Sequence, residues 1–295
     1  MVDRLQAKTR EEHPEIRELE EKFGRIFSNS DTGLYDIFTS LDRDHHTLGY
    51  TTLFSKGING ILAEINIKKE TCSRESTEFY FYTAAEESCN AVLKIAERFS
   101  LEAEEMLENA NTEAERESLV LIRDTAKKIP ANKPETFYES LSMLLFTREI
   151  TATFENIGIS QLGHLDRLLG PLYKNDIKSG TITEEKAREL VKIWMMHTDI
   201  RFDMHNNPWP ETSTCVQLGG CDVNGDPVFN DVTRIFVEEH LNGGFVNPKL
   251  NCRYSKKSPK EYLELVGGAI LKGHNNFVLI NDDIVIGGLK SNGVD

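Results

Sequence analysis

No apolar run in this chain approaches the roughly 20 residues that a membrane-spanning helix needs, and Met1-Val2-Asp3-Arg4 does not open a signal peptide. A cytoplasmic protein is the expectation. Basic side chains are also in deficit, 34 Lys and Arg against 48 Asp and Glu, for a formal charge of −14. That balance repels phosphate backbones and anionic bilayers, so neither nucleic acid nor membrane is expected as a partner. The five cysteines, Cys72, Cys89, Cys215, Cys221 and Cys252, are odd in number, scattered and free of any Cys-x-x-Cys pair. Neither a disulfide framework nor a structural zinc is signalled. Gly219-Gly220 resembles half of a phosphate-binding turn, but the remaining glycines and the helix that should follow are missing.

What is present begins with charge. Residues 1–30 are helix-prone and rich in Glu, Arg and Lys, which reads as a solvated helix. Asp44 to Tyr50 is a polar loop feeding a helix broken by Gly57 and Gly60. His45 and His46 are adjacent and cannot face one metal from a helix or strand, so a turn with one solvent-facing ring is the simpler account. Residues 83–109 and a segment around Leu119, Ile122 and Ala126 form an outer helical hairpin. The connector Ile129 to Pro134 leads to a buried helix face at Phe137, Leu141, Leu144 and Leu145. Thr183 caps a further helix, in which Ala187, Leu190, Val191, Trp194 and Met195 make one apolar stripe.

After a proline-broken loop at residues 203–211, Thr214 to Gly220 reads as a strand ending in glycines, and Asp222 to Asp226 as a hairpin-type turn. His197, Asp199, Asp203 and His205 straddle a helix end and this loop without a recognised ligand spacing, so no metal site is assigned. The clearest organisation lies at residues 245–293. Leu250, Cys252 and Tyr254 alternate with polar residues as a strand. Ser258, Pro259 and Glu261 fit a capping box with proline at the first helical position. Tyr262, Leu265, Val266, Ala269 and Ile270 supply a helical stripe, and Gly273 a left-handed cap. Phe277 to Ile280 is a second strand, with a helix expected from Ile284 to Asn292. Two strands joined by one helix lie parallel with a right-handed crossover, which puts Asn281-Asp282-Asp283 at a carboxyl end, where α/β proteins keep their chemistry. A helix N-cap is the competing role for Asp282.

Three stretches together resemble the glycyl radical enzymes, the pyruvate formate-lyase superfamily. Pro134 to Leu141 resembles that family's "P-x-x-F-x-E-A-L" helix, and Gly163 to Tyr173 its "G-R-x-D-Q-Y-L-x-P-x-Y" segment, continued by Asp176 to Ala187. Leu218-Gly219-Gly220 and residues 248–293 resemble its first strand–helix units. The resemblance implies an α/β fold: residues 131–295 as roughly the first parallel half of a ten-stranded barrel, and residues 1–130 as a mainly helical outer segment. It implies a lyase or transferase of anaerobic metabolism that acts on a small molecule through a glycyl radical installed by a radical SAM activating enzyme, with no cofactor bound to the chain itself. None of the five cysteines matches the family's thiyl position, and the Arg-Val-x-Gly-aromatic loop occurs nowhere in these 295 residues. No catalytic residue is therefore assigned, and the expectation is an incomplete, inactive portion of such an enzyme.

Four positions are offered as substrate contacts: His45 and Ser160 by the same resemblance, Asp282 by its place at a strand's carboxyl end, and Arg253 beside it. His45 lies in a segment similar to "G-H-x-T-P-D-Y", and Ser160 lies one residue out of register with a pocket-facing serine. Arg253 is placed to pair with Asp282 or with a substrate carboxylate. Two alternatives are a non-catalytic half-barrel subunit completed by a second polypeptide, and a metal-dependent hydrolase using His197, Asp203 and His205; a complementing chain or a homo-oligomer is the expected assembly.

Overall fold

Side chains that alternate along short runs and repeat every three or four residues along longer ones divide this chain into strands packed under helices. The computed structural model describes residues 47–155, 161–200, 214–274 and 276–294, with residues 11 and 14. The unit Asp44–Asp295 contains all the elements discussed here. They follow in the order α1 (Tyr50–Glu70), α2 (Thr77–Leu107), α3 (Glu113–Lys128), α4 (Phe137–Glu155), β1 (Gln161–His164), α5 (Leu165–Ser179), α6 (Glu184–Ile200), β2 (Cys215–Gly219), α7 (Asp231–Gly243), β3 (Lys249–Tyr254), α8 (Lys260–Leu271), β4 (Phe277–Asn281) and α9 (Asp282–Ser291). The four strands form one parallel sheet in sequential order, each pair joined through helix, as the crossover rule requires. No described helix is long and apolar enough to cross a membrane.

The core lies between the sheet and its helices. Leu162, Val216, Leu218, Leu250 and Cys252 project from one sheet face and are fully buried, against Leu165, Leu169, Phe236, Val266 and Ala269 of the helices. Trp194 meets Phe236, and Phe137 meets Tyr173, edge to face at centroid separations of 5.8 and 5.5 Å. The α2–α3 hairpin packs outside this core, with the Ser100 hydroxyl donating to the Arg123 carbonyl across it. Asn230 and Thr233 cap α7 reciprocally, and Gly244 ends it in the left-handed conformation.

Several local expectations change. The Ser258 capping box does not form, because the Ser258 hydroxyl accepts from the Ser255 N–H and Pro259 itself occupies the N-cap of α8. The last helix starts two residues earlier than its apolar pattern suggests. Asn281 caps it, accepting from the N–H groups of Asp283 and Ile284, so Asp282 is not the cap. Within α1 the break falls at Gly57, whose φ of +65° turns the chain toward the connector. The Ile58 and Asn59 N–H groups then donate to the carbonyls of Pro130 and Ala131. A Cβ at Gly57 would lie 2.5 Å from the Asn132 carbonyl carbon.

Gly57→Ala is accordingly expected to lower stability by more than about 1 kcal/mol, since both φ and a backbone neighbour oppose it. Gly268→Ala, in open space within α8, should be neutral or slightly stabilising. Urea unfolding of the two variants against the parent checks the contrast.

Candidate functional site

The sheet has two unlike faces. Alternation puts Leu250 and Cys252 toward the helices, so Lys249, Asn251 and Arg253 project the other way, and β2 places Cys215, Gln217 and Gly219 on that same side. The register between β1 and β2 is irregular: Gln161 pairs with Cys215 and His164 with Gln217, three steps along one strand against two along the other. This β-bulge, with Gly163 at φ +75°, brings both Gln161 and His164 to the polar side. Parallel sheets ordinarily cover both faces with apolar side chains. Here the face away from the helices carries amides, an imidazole and two cations, all half-buried. Gln217 Nε2 donates to Gln161 Oε1 at 3.3 Å across it.

At the carboxyl ends of the strands the polar groups condense into a network. Arg253 Nε donates to Asp282 Oδ1 at 2.7 Å, and Arg253 Nη1 donates to His164 Nε2 at 2.9 Å. Asp282 is 1% exposed, and its second oxygen accepts the Cys221 N–H at 3.0 Å. On the other flank of the same turn, Asp166 Oδ2 accepts from the Gly219 N–H at 2.6 Å and from the Thr233 hydroxyl at 3.0 Å. Arg167 Nη2 donates to the carbonyls of Gly219 and Cys221. Glycine is required at 219 and 220, both at positive φ: a Cβ would meet the Tyr262 hydroxyl at 2.4 Å and Asp282 Oδ2 at 2.6 Å respectively. The two glycines are therefore packing glycines. The Gly220 N–H is spent on the Arg253 carbonyl, which removes the half-motif for phosphate.

The electrostatics follow from burial beside cations. His164 is pushed down to about 4, first by desolvation and then by Arg167 and Arg253, so its ring is neutral at pH 7. Because Nε2 accepts from Arg253, the proton sits on Nδ1, a buried donor with no partner among the described residues. Burial raises Asp166 to about 6, opposed by the Gly219 N–H and the Thr233 hydroxyl. Burial and then the Asp282 charge push the Cys221 thiol up, while burial takes Cys252 to about 12, so neither is an activated thiolate.

Of the four expected substrate contacts, the structure brings Arg253 and Asp282 together as an ion pair; His45 and Ser160 lie outside the described residues. Asp203 and His205 lie outside them too. His197 is exposed, and Asp199 accepts from the N–H groups of Val246 and Asn247. No group of three or more metal-ligating side chains occurs among the described residues. Sequence reasoning passed over His164, Asp166 and Arg167. The signal that could have found two of them is the departure of His164 and Arg167 from the Arg and Gln of the segment they resemble. Two clefts, of about 480 Å³ beside α3 and α6 and about 720 Å³ between α5 and α7, open on the helical side.

A family model described as "Pyruvate formate lyase-like" matches residues 26–295. The chain is 26% identical over 276 residues to trans-4-hydroxy-L-proline dehydratase of Clostridioides difficile, covering 87% of this chain and 34% of that protein. It is 25% identical over 268 residues to (2S)-3-sulfopropanediol dehydratase of Klebsiella oxytoca, covering 85% and 32%. Among solved structures, a glycyl radical enzyme from Archaeoglobus fulgidus superposes with a TM-score of 0.73 at 27% identity, over 85% of this chain and 34% of that one. The glycerol-bound B12-independent glycerol dehydratase from Clostridium butyricum has a TM-score of 0.75 at 22% identity, covering 86% and 33%, a likeness of fold. The chain spans about a third of the length of the curated relatives it matches.

Asp282→Ala would strand the Arg253 guanidinium and the Cys221 N–H, and should cost about 3–5 kcal/mol, read as a fall in melting temperature. A second expectation concerns acid. The folded-state pKa of His164 lies below its unfolded value, so its contribution is present above about pH 6.5 and is lost as pH falls toward 4. Asp166 has the opposite sign, its contribution fading as pH rises through about 6. His164→Gln should flatten the loss of stability between pH 6.5 and 4, measured by urea unfolding at each pH.

Proposed function

The chain belongs to the pyruvate formate lyase-like family of glycyl radical enzymes, and from that premise we propose that its sheet is one wall of the substrate cavity of a glycyl radical lyase or dehydratase. The observation that carries this reading is the polar face of a parallel sheet, which departs from the apolar pattern of a sheet covered on both sides and suits one that borders a polar cavity. In this reading the four strands belong to the first parallel half of a ten-stranded barrel, and further strands close the cavity from the opposite side.

Within the wall, this chain's residues bind and orient. Gln161, Gln217 and Asn251 offer amide donors and acceptors for the hydroxyl groups of a small molecule. His164 carries no charge, and the Arg253–Asp282 pair holds its tautomer in place. The hydrogen-atom chemistry belongs to a cysteine and a glycine outside these 295 residues, and an activating enzyme of the radical SAM class installs the radical there. The enclosed site also keeps water from reactive intermediates, a task one wall cannot perform alone. The chain by itself is therefore without turnover.

A second reading, in which these residues are completed by another polypeptide or by their own copies, is favoured by one feature. Among the described residues β4 is hydrogen-bonded only to β3, while Val278 and Leu279 on it and Ile284, Val285 and Leu289 on α9 are exposed.

Treatment of the purified chain with an activating enzyme, S-adenosylmethionine and reductant under anaerobic conditions should give no glycyl radical doublet in electron paramagnetic resonance. The hydroxyproline dehydratase of C. difficile, treated alongside with its own activating enzyme, serves as the positive control. A doublet from this chain alone would overturn the assignment of the radical glycine elsewhere.

A further inference from the structure

The two carboxylates beside the Gly219–Gly220 turn are buried on unlike terms. Asp282 is paired with the Arg253 guanidinium, and its other oxygen accepts the Cys221 N–H. Asp166 is 0% exposed and makes no ion pair among the described residues. Its Oδ2 takes the Gly219 N–H and the Thr233 hydroxyl, while its Oδ1 has no hydrogen-bond partner among them.

The groups packed around Asp166 do little to offset a charge there. On α5, Arg167 favours ionisation, but its Nη2 is committed to the carbonyls of Gly219 and Cys221. The Cys221 thiol at the end of β2, the Cys252 thiol on β3 and the Tyr262 phenol on α8 are all pushed up by burial and stay uncharged. His164, two residues earlier at the end of β1, is neutral at pH 7. From α9, Asp282 is engaged with Arg253. On the α7 side the Asn230 amide donates to the backbone carbonyl of Asp166, and Asp231 adds a second acid to the cleft that both aspartates line. A carboxyl group so placed is easily kept with a proton on Oδ1, which leaves Oδ2 to accept both its hydrogen bonds. Ionised in place, it is costly. The relief open to it is water from the cleft of about 720 Å³ between α5 and α7, and admitting that water means parting the contacts that close the turn.

We propose that Asp166 is a proton-operated catch on the Gly219–Cys221 turn: protonated, it holds the turn shut against α5 and α7, and once its proton has left to solvent it lets the turn open to water. The sign follows from burial. The folded-state pKa lies above the ordinary carboxylate value, so the closed turn is favoured at low pH and loses that support as pH rises through about 6. The same turn carries the Cys221 N–H that Asp282 accepts, and Asp282 holds Arg253 and, through it, His164. The catch thereby sets how firmly this end of the polar face is fixed. Its bearing on a ligand rests on the reading of that face as a cavity wall; the movement of the turn does not.

The test follows two quantities by nuclear magnetic resonance in the full 295-residue chain. One is the carboxyl carbon shift of Asp166 against pH, and the other is the protection of backbone amides against hydrogen exchange, corrected for the intrinsic rate at each pH. The carboxyl resonance should titrate near pH 6, and the Gly219 and Cys221 amides should lose about tenfold in protection between about pH 5 and 7.5. The Leu250 amide, which donates to the Asn276 carbonyl away from the turn, should lose none. In Asp166→Asn, which keeps an acceptor for Gly219 and Thr233 but cannot ionise, protection at Gly219 should be the same at both pH values. A midpoint in the ordinary carboxylate range, unchanged protection of Gly219 in the parent chain, a matching loss at Leu250, or a loss that persists in Asp166→Asn would each overturn the proposal. Should Asp166→Asn fail to fold, the titration of the parent chain decides by itself. No ligand enters these measurements, so a negative result leaves the cavity wall standing.

Discussion

Two buried carboxylates grip the Gly219–Gly220 turn from opposite flanks, and the position of every other polar group at this end of the sheet depends on that grip. Asp166 takes the N–H of Gly219, and Asp282 takes the N–H of Cys221. Neither carboxylate is near water, so each is worth having only because several donors converge on it. The turn in turn fixes where β2 stops and where Arg253, packed against Gly220, must lie. From Arg253 the constraint passes to the ring of His164, 89 residues earlier in the chain. A chain of hydrogen bonds thus ties the ends of β1, β2, β3 and α9 together without a disulfide.

The contrast between the sheet's faces gives this network its meaning. On the helical side burial is nearly complete, and side-chain shape decides stability. On the other side the side chains of Lys249 and Asn251 have no partner among the described residues, which would be a liability in a packed interior. The Arg253–Asp282 pair falls between the two roles. It is sequestered enough to be structural, yet it also holds the imidazole of His164.

Much of this was legible from the residues. β3 announces itself by alternation, β2 by its closing glycines and β4 by a short apolar run, and the stripes of α4, α6 and α8 predict the faces they bury. Arg253 and Asp282 were identifiable because both sit near strand ends in one strand–helix–strand unit. Elements outside that local logic were not. β1 has four residues and no alternation to read, α5 carries Pro171 inside it, and α7 went unremarked despite its Asn230 cap. The capping box at Ser258 failed because its hydroxyl had a nearer use, and Asn281 rather than Asp282 capped α9 because the carboxylate was already engaged in the interior. His164, Asp166 and Arg167 find their partners 52 to 89 residues away, and no local pattern encodes such distances.

The extra residue in β1 amounts to a parity rule for this family member. In an unbulged strand residues three apart face opposite ways, so the bulge at Gly163 is what lets Gln161 and His164 share the polar face. A single codon lost at Gly163 would leave Gln161 and His164 two residues apart, on one face by ordinary alternation and in regular register with Cys215 and Gln217, so the imidazole would keep its side and only the local kink would go.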